Sequence, residues 1–213
     1  REVLRVHDSH WYAVLPGAPL ATYRGVPFVL ADHPFTAQAV FDGRVTHPSR
    51  DALRATVAAE PAAVEVTERA LATASPLAAG ALLALARRHV EGGSRFSVEE
   101  LACVALTVTS GERRDEAWAW LARPQARAAV DLWSDAVRRL PVPHVAGPAA
   151  VLAFAAWLAG DGALAWCAVD RCRESSPSHS LATLVSGMLE TATPPDSWEA
   201  LRPDLDVTAD PAA

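Results

Sequence analysis

The stretch from Pro148 to Glu190, PAAVLAFAAWLAGDGALAWCAVDRCRESSPSHSLATLVSGMLE, leaves little freedom in how it folds. Three helices can be written into it. The first is expected to start at Pro148, because a proline at the first helical position gives up an N–H that would have no partner there. It carries Val151, Leu152, Ala155 and Leu158 and stops at Gly160. The second follows Asp161, a good N-cap, with Leu164, Ala165, Ala168, Val169 and Cys172 at helical spacing. Ser175-Ser176-Pro177 ends it, and a third opens after Ser178 with Leu181, Leu184, Val185, Met188 and Leu189.

Alanines at 153, 155, 156, 165 and 168 let two helix axes approach closely. The turn Gly160-Asp161-Gly162 is short, so the first two helices should form an antiparallel hairpin. The spacing resembles one tetratricopeptide repeat: Gly160-Asp161, Ala165 and Pro177 stand where that family has its turn, its small second-helix residue and its closing proline. Cys172, Ala149 and Ala156 depart from the family pattern. A stacked array needs about three repeats, so an ordinary hairpin in a globular core is the competing reading.

The 213 residues suffice for one large or two small domains with a real core. No apolar run reaches the ~18 residues of a membrane span, and the N-terminus lacks a signal-peptide layout. All 19 basic residues are arginine, and lysine, asparagine and isoleucine are absent. That skew fits a GC-rich, actinobacterial genome and warns against reading function into arginines. The net charge of −6 argues against a nucleic-acid binder. The pairs Arg87-Arg88, Arg113-Arg114 and Arg138-Arg139 read as solvated helix faces. Three cysteines, Cys103, Cys167 and Cys172, fit a reducing cytoplasm and small core positions.

Along the chain, residues 2–6 and His10–Leu15 read as strands joined at His7-Asp8-Ser9. The proline- and glycine-rich segment 16–35 holds one extended piece, Val26–Leu30, and Thr36–Asp42 reads as a short helix followed by extended Val45–His47. Such a hairpin is marginal alone. With a start at Arg1 and no methionine, it suggests an α/β part upstream. Helices are expected at Arg50–Ala59, capped by Ser49 and ended by Pro61, then at Val64–Ala74 and Leu77–Glu91. Gly92-Gly93 stops the last of these, and Ser97-Val98-Glu99-Glu100 is a capping box for the next. Glu112–Ala122 and Ala126–Leu140 follow. The expected fold is α+β, predominantly α: an N-terminal β-hairpin and loop segment (1–48), a repeat-like multi-helix domain (49–190), and a largely irregular or disordered tail (191–213) from which Trp198 and Leu201 dock back.

The hairpin ending His10-Trp11-Tyr12, the segment Gly25-Val26-Pro27, Gly43 with Ser49-Arg50 and Leu53, Glu99-Glu100-Leu101-Ala102, Arg114-Asp115-Glu116-Ala117-Trp118, Pro143-His144-Val145 and the stretch Pro148–Leu189 together resemble a family of actinobacterial proteins catalogued as a domain of unknown function, number 4192. The resemblance covers nearly the whole chain and corresponds to the C-terminal portion of that domain. It implies a cytoplasmic protein and supplies no activity. Members often carry cysteines near the positions of Pro16, Ala21 and Thr22; this chain has none there.

Candidate chemistry is sparse. His7 and His10 flank a turn and read as surface residues, and His33, His47, His89 and His179 show no ligand spacing. Asp115, Glu116 and Asp131 could form a paired-carboxylate site with Asp161 or Asp170, but nothing in the spacing requires it, and helix termini and solvent are the default reading. No dinucleotide fingerprint, phosphate loop or serine elbow is present, so neither a metal nor another cofactor is expected. The binding candidates are Trp118, Trp120 and Trp166, as aromatic anchors for a partner, and His144, which stands just before the central stretch. Trp118 and Trp120, two apart on an expected helix, cannot face the same side. The leading reading is a cytoplasmic helical scaffold that binds another protein or a peptide, with no nucleic acid or membrane partner. The alternative is an enzyme or small-ligand protein with its site between an upstream α/β half and the helices, near His144.

Overall fold

A helix that is apolar on every side can only sit at the centre of a helical domain. Val142–Leu158 (α8) is that helix: residues 147–158 are buried without exception. In the computed structural model, which describes residues 4–8, 10–14, 16–29 and 47–201, the chain forms two units, Arg1–Pro48 and Ser49–Ala213. It is α+β and predominantly helical, with a three-stranded antiparallel sheet at the N-terminus.

In the first unit, β1 (Leu4–His7) pairs with β2 (His10–Ala13), with Val6 opposite Trp11 and His7 opposite His10. Asp8 turns the chain with φ 47°, a conformation that a short polar side chain tolerates. After α1 (Leu20–Tyr23), β3 (Val26–Pro27) adds to the other edge of β2. Of the extended piece expected at Val26–Leu30, Val26–Pro27 is a third strand of the sheet, Phe28 and Val29 lie beyond the strand, and Leu30 is outside the described residues. Gly25 makes the strand possible: its φ is 92°, and a Cβ there would lie 2.7 Å from the Tyr12 ring. The helix expected at Thr36–Asp42 and the extended piece expected at Val45–His47 lie outside the described residues, except for His47.

The second unit begins with α2 (Arg50–Ala55), capped as expected by Ser49, whose hydroxyl accepts from the Ala52 N–H at 3.1 Å. Next come α3 (Pro61–Leu71), α4 (Ala81–Gly92), α5 (Val98–Thr107), α6 (Gly111–Asp115) and α7 (Arg123–Arg139). After α8 come α9 (Gly162–Arg173), α10 (Ser180–Glu190) and α11 (Asp196–Leu201). The helices α5, α7, α9 and α10 pack around α8, while α4 lies on α7 and α2 on α9. The expected hairpin is α8–α9: Gly160 turns with φ 79°, and Asp161 caps α9 by accepting from the Leu164 N–H at 2.9 Å.

Four expected boundaries shift, each for a local reason. The central helix starts at Val142 and not at Pro148, because Pro143 already fills the proline-tolerant first turn. Pro148 then lies inside the helix, where it offers no N–H to the His144 carbonyl, a loss of one bond that the surrounding packing outweighs. Likewise, Pro61 starts α3 rather than only ending the helix before it. Residues 77–80 stay out of α4 because Gly80 is left-handed, and the Thr107 hydroxyl and Arg113 guanidinium hold the backbone of Leu77 and Ala78. Finally, Glu112–Ala122 is not one helix. After Asp115 the chain tightens into turns with bonds such as Ala117 N–H to Arg114 O and Leu121 N–H to Trp118 O.

Within the segment expected to be an irregular tail, α11 docks on the domain, and Trp198 docks as the sequence suggested. Its ring meets Phe154 and Trp118 at centroid distances of 5.0 and 5.5 Å, and its N–H donates to the Leu121 carbonyl at 2.7 Å.

Candidate functional site

The tryptophans singled out from sequence are placed differently from one another. Trp118 is packed against Phe154 at 4.7 Å and against Trp198, and its N–H donates to Asp115 at 2.8 Å. Its ring is engaged in holding α11. Trp120 is half-buried beneath the Arg87 guanidinium, 5.1 Å from its ring centroid. Trp166 is half-buried on α9. His144, in the first turns of α8, is half-buried, with Nδ1 enclosed and without a hydrogen-bond partner. The helix that was to set Trp118 and Trp120 on opposite faces is replaced by turns, and both side chains come out half-buried.

The carboxylates considered as a pair go separate ways. Asp115 binds Arg114, Glu116 binds Arg113, Asp161 caps α9, and Asp170 faces Arg50 and Arg54. Among the described residues, no three of His, Cys, Asp and Glu come together as a metal site. Cys167 and Cys172 are buried and free, and burial pushes the Cys172 thiol up to about 12.

The concentration of polar side chains lies elsewhere, in a cleft of about 400 Å³ between the C-terminal end of α4 and one face of α7. Its walls include His89, Ser94, Arg95, Asp131, Ser134 and Asp135. Local chemistry explains how these groups arrive there. Gly93, at φ 60°, ends α4 in the left-handed cap conformation, and the Ser94 N–H returns to the His89 carbonyl at 3.1 Å. This brings Ser94 back beside the last turn. The capping box expected at Ser97 forms in full: the Ser97 hydroxyl accepts from the Glu100 N–H at 3.1 Å, and Glu100 Oε2 accepts from the Ser97 N–H at 2.8 Å.

These two devices, a helix stop and a helix start, meet at His89. Its side chain is 8% exposed. Nδ1 lies 2.8 Å from Ser94 Oγ, and Nε2 lies 3.0 Å from Glu100 Oε2. The ring stands edge-on to Phe96 at 5.0 Å, and Phe96 in turn to Trp133. Burial is the strongest influence on the Glu100 carboxyl and would raise its pKa. The Ser97 N–H, the charge and hydrogen bond of His89, and the charge of Arg88 together outweigh it and hold the group below its ordinary value. Glu100 is therefore an ionised acceptor. In the neutral form of the ring this acceptor holds the hydrogen on Nε2 and leaves Nδ1 to accept from the Ser94 hydroxyl.

On the opposite wall, Asp135 is bridged between Arg139 at 2.8 Å and Arg95 at 3.2 Å. Arg139 also donates to the Phe96 carbonyl at 2.8 Å. It is 15% exposed, so of the pair expected on a solvated face, Arg139 is a structural cation and Arg138, which binds Glu60 at 3.0 Å, is the more exposed one.

The sequence reading passed over His89, Ser94 and the second role of Glu100. The signal available was a histidine one turn before a Gly-Gly stop, with a capping-box glutamate eleven residues on.

A family model described as "Domain of unknown function (DUF4192)" matches residues 1–196. No curated protein and no solved structure matches the chain.

Proposed function

We propose that this chain, which belongs to the DUF4192 family, is a helical binding module whose α4–α7 cleft receives a polar segment of a partner protein. One observation carries the reading. The cleft presents Ser94, Ser134, Arg95, Arg138, Asp131 and Asp135 as hydrogen-bonding and charged groups. Donors and acceptors of both charge signs on a rigid helical wall suit a peptide carrying both charges. The proposal extends to a cytoplasmic, actinobacterial protein whose α8–α9 hairpin is a tetratricopeptide-like unit. The short Gly160 turn, the buried Ala165 and Pro177 after α9 support that last part. No helix among the described residues is long and apolar enough to cross a membrane.

The test is a peptide array probed with the purified chain. Binders are expected to carry both acidic and basic residues, and binding should fall at least about tenfold in Asp131→Ala with unchanged melting. If Asp131→Ala and Ser134→Ala bind as the parent does, while Trp120→Ala or Trp166→Ala loses binding, the site is the tryptophan surface and the cleft reading fails. A second reading, an enzyme, rests on the His89 hydrogen bonds.

A further inference from the structure

We infer that Ser94, His89 and Glu100 form a nucleophilic serine site that hydrolyses small esters in the α4–α7 cleft. The inference goes beyond partner binding and does not rest on it. Nucleophilic catalysis by serine needs three things in one place: a hydroxyl open to substrate, a base bonded to it, and a group that orients the base. Ser94 is exposed and lines the cleft. The His89 ring is shielded, at 8% exposure, and meets the hydroxyl at 2.8 Å. Glu100 meets the far nitrogen at 3.0 Å. The chain Ser–His–carboxylate is that of the serine hydrolases, with the two ring nitrogens exchanged.

The proton positions matter more than the distances. An ionised Glu100 can only accept, so an imidazole in its neutral form carries its hydrogen on Nε2 and its lone pair on Nδ1. The Ser94 hydroxyl then donates to Nδ1, which is the arrangement a general base requires. Glu100 is itself held by the Ser97 N–H and Arg88, so the carboxylate cannot swing away without breaking the cap of α5.

In the reaction, Ser94 Oγ adds to the ester carbonyl carbon and its proton passes to His89 Nδ1. The bond from carbon to the alcohol oxygen breaks, and the alcohol leaves with that proton. Water then adds to the acyl-serine, giving a proton to Nδ1. The bond to Oγ breaks, Oγ takes the proton back, and the carboxylic acid departs. Arg95, in the same cleft, is the cation that can turn to the developing oxyanion, since its own side chain is exposed and Asp135 keeps Arg139 as a second partner.

Charge indicates the substrate class. Arg138 faces Glu60, and Asp135 is shared by Arg95 and Arg139, whereas Asp131, on the wall of the cleft, makes no ion pair among the described residues and is the carboxylate left to meet a cation. The cleft therefore favours an ester bearing an ammonium group.

The experiment treats the purified chain with a fluorophosphonate probe and locates the adduct by peptide mass mapping. It then compares turnover of p-nitrophenyl acetate with that of the p-nitrophenyl ester of glycine, whose amine is cationic. One adduct on Ser94 is expected, and ester turnover should fall at least about 100-fold in Ser94→Ala and in Glu100→Gln. The glycine ester should be preferred, and the ratio of the two rates should drop in Asp131→Asn. Because His89 is buried, His89→Gln puts the fold itself at risk; Ser94→Ala, at an exposed position, carries the test, with circular dichroism melting as the control. A folded parent that takes no probe at Ser94, or a Ser94→Ala variant that hydrolyses the esters at the parent rate, overturns the site. Preference for the neutral ester overturns the substrate class.

Discussion

The α8–α9 hairpin and the rim of the α4–α7 cleft belong to one unit and are held by different physics. In the hairpin, close approach comes from what is missing. Ala149, Ala150, Ala153, Ala155 and Ala156 on α8, with Ala165 and Ala168 on α9, are all buried, and helix axes draw together because no side chain keeps them apart. At the rim, position comes from what is present: a left-handed glycine, a capping box, a histidine between two polar partners, and a carboxylate between two arginines. The apolar part is non-directional and insensitive to pH, whereas the polar part fixes orientations and depends on charge. A site that must aim its groups belongs on the second kind of framework.

The contrast can be broken first at its apolar pole. Phe154 is 1% exposed and touches Trp118, Trp157 and Trp198. Phe154→Ala should cost about 3–5 kcal/mol by urea unfolding. A loss below about 1 kcal/mol would show that the aromatic cluster around it is loosely packed.

Next comes Gly147. A Cβ there would lie 2.6 Å from Val108 Cγ2 and 2.9 Å from the Val108 carbonyl oxygen. Gly147→Ala should destabilise by about 1–3 kcal/mol, because backbone at that contact cannot yield as a flexible side chain would. Adding Val108→Ala should recover only part of the loss; full recovery would mean that the side chain alone sets the spacing of α5 and α8.

At the polar pole the effects are smaller. Ser97→Ala removes one half of the capping box and should cost about 1 kcal/mol. It should also weaken the hold on Glu100, which a slower ester turnover would register. Unchanged stability would show that α5 is capped adequately without the serine.

The smallest effect is a pH dependence. The Glu100 pKa in the folded chain lies below its ordinary value of 4.5. The unfolded chain therefore binds more protons between the two values, so this contribution is complete above pH 4.5 and is lost as pH falls through the folded value. Melting temperature against pH should show a steeper acid limb in the parent than in Glu100→Gln. Parallel limbs would remove Glu100 from the account. His179 acts in the same direction in a higher window: burial, followed by Arg114, lowers its pKa below 6.5, so stability falls as pH drops from 6.5.

The legible parts of this chain are those where one local rule decides. Ser49, Ser97 and Asp161 cap the helices they precede, and Gly92-Gly93 ends α4. Each works because a short polar side chain or a missing Cβ acts within four residues of itself. Misplaced boundaries arose where two rules competed. Pro148 satisfied the rule for a helix start, and so did Pro143; burial of residues 147–158 decided between them. The run Glu112–Ala122 has helical composition, yet the contacts of Arg114 with Ser180 and Trp118 with Phe154 pull it into turns.

The candidate site was harder to see for the same reason. Ser94 was visible as part of a stop and Glu100 as part of a start. His89 belonged to neither and carried no spacing that marks a ligand. The sequence by itself determined the helical class, the central alanine-rich hairpin and the caps, because periodicity and capping are local. Only the tertiary structure decided that the end of α4 and the start of α5 fold onto each other around one imidazole, with α7 as the facing wall. That meeting depends on distances across eleven residues and between helices, and no pattern along the chain encodes it.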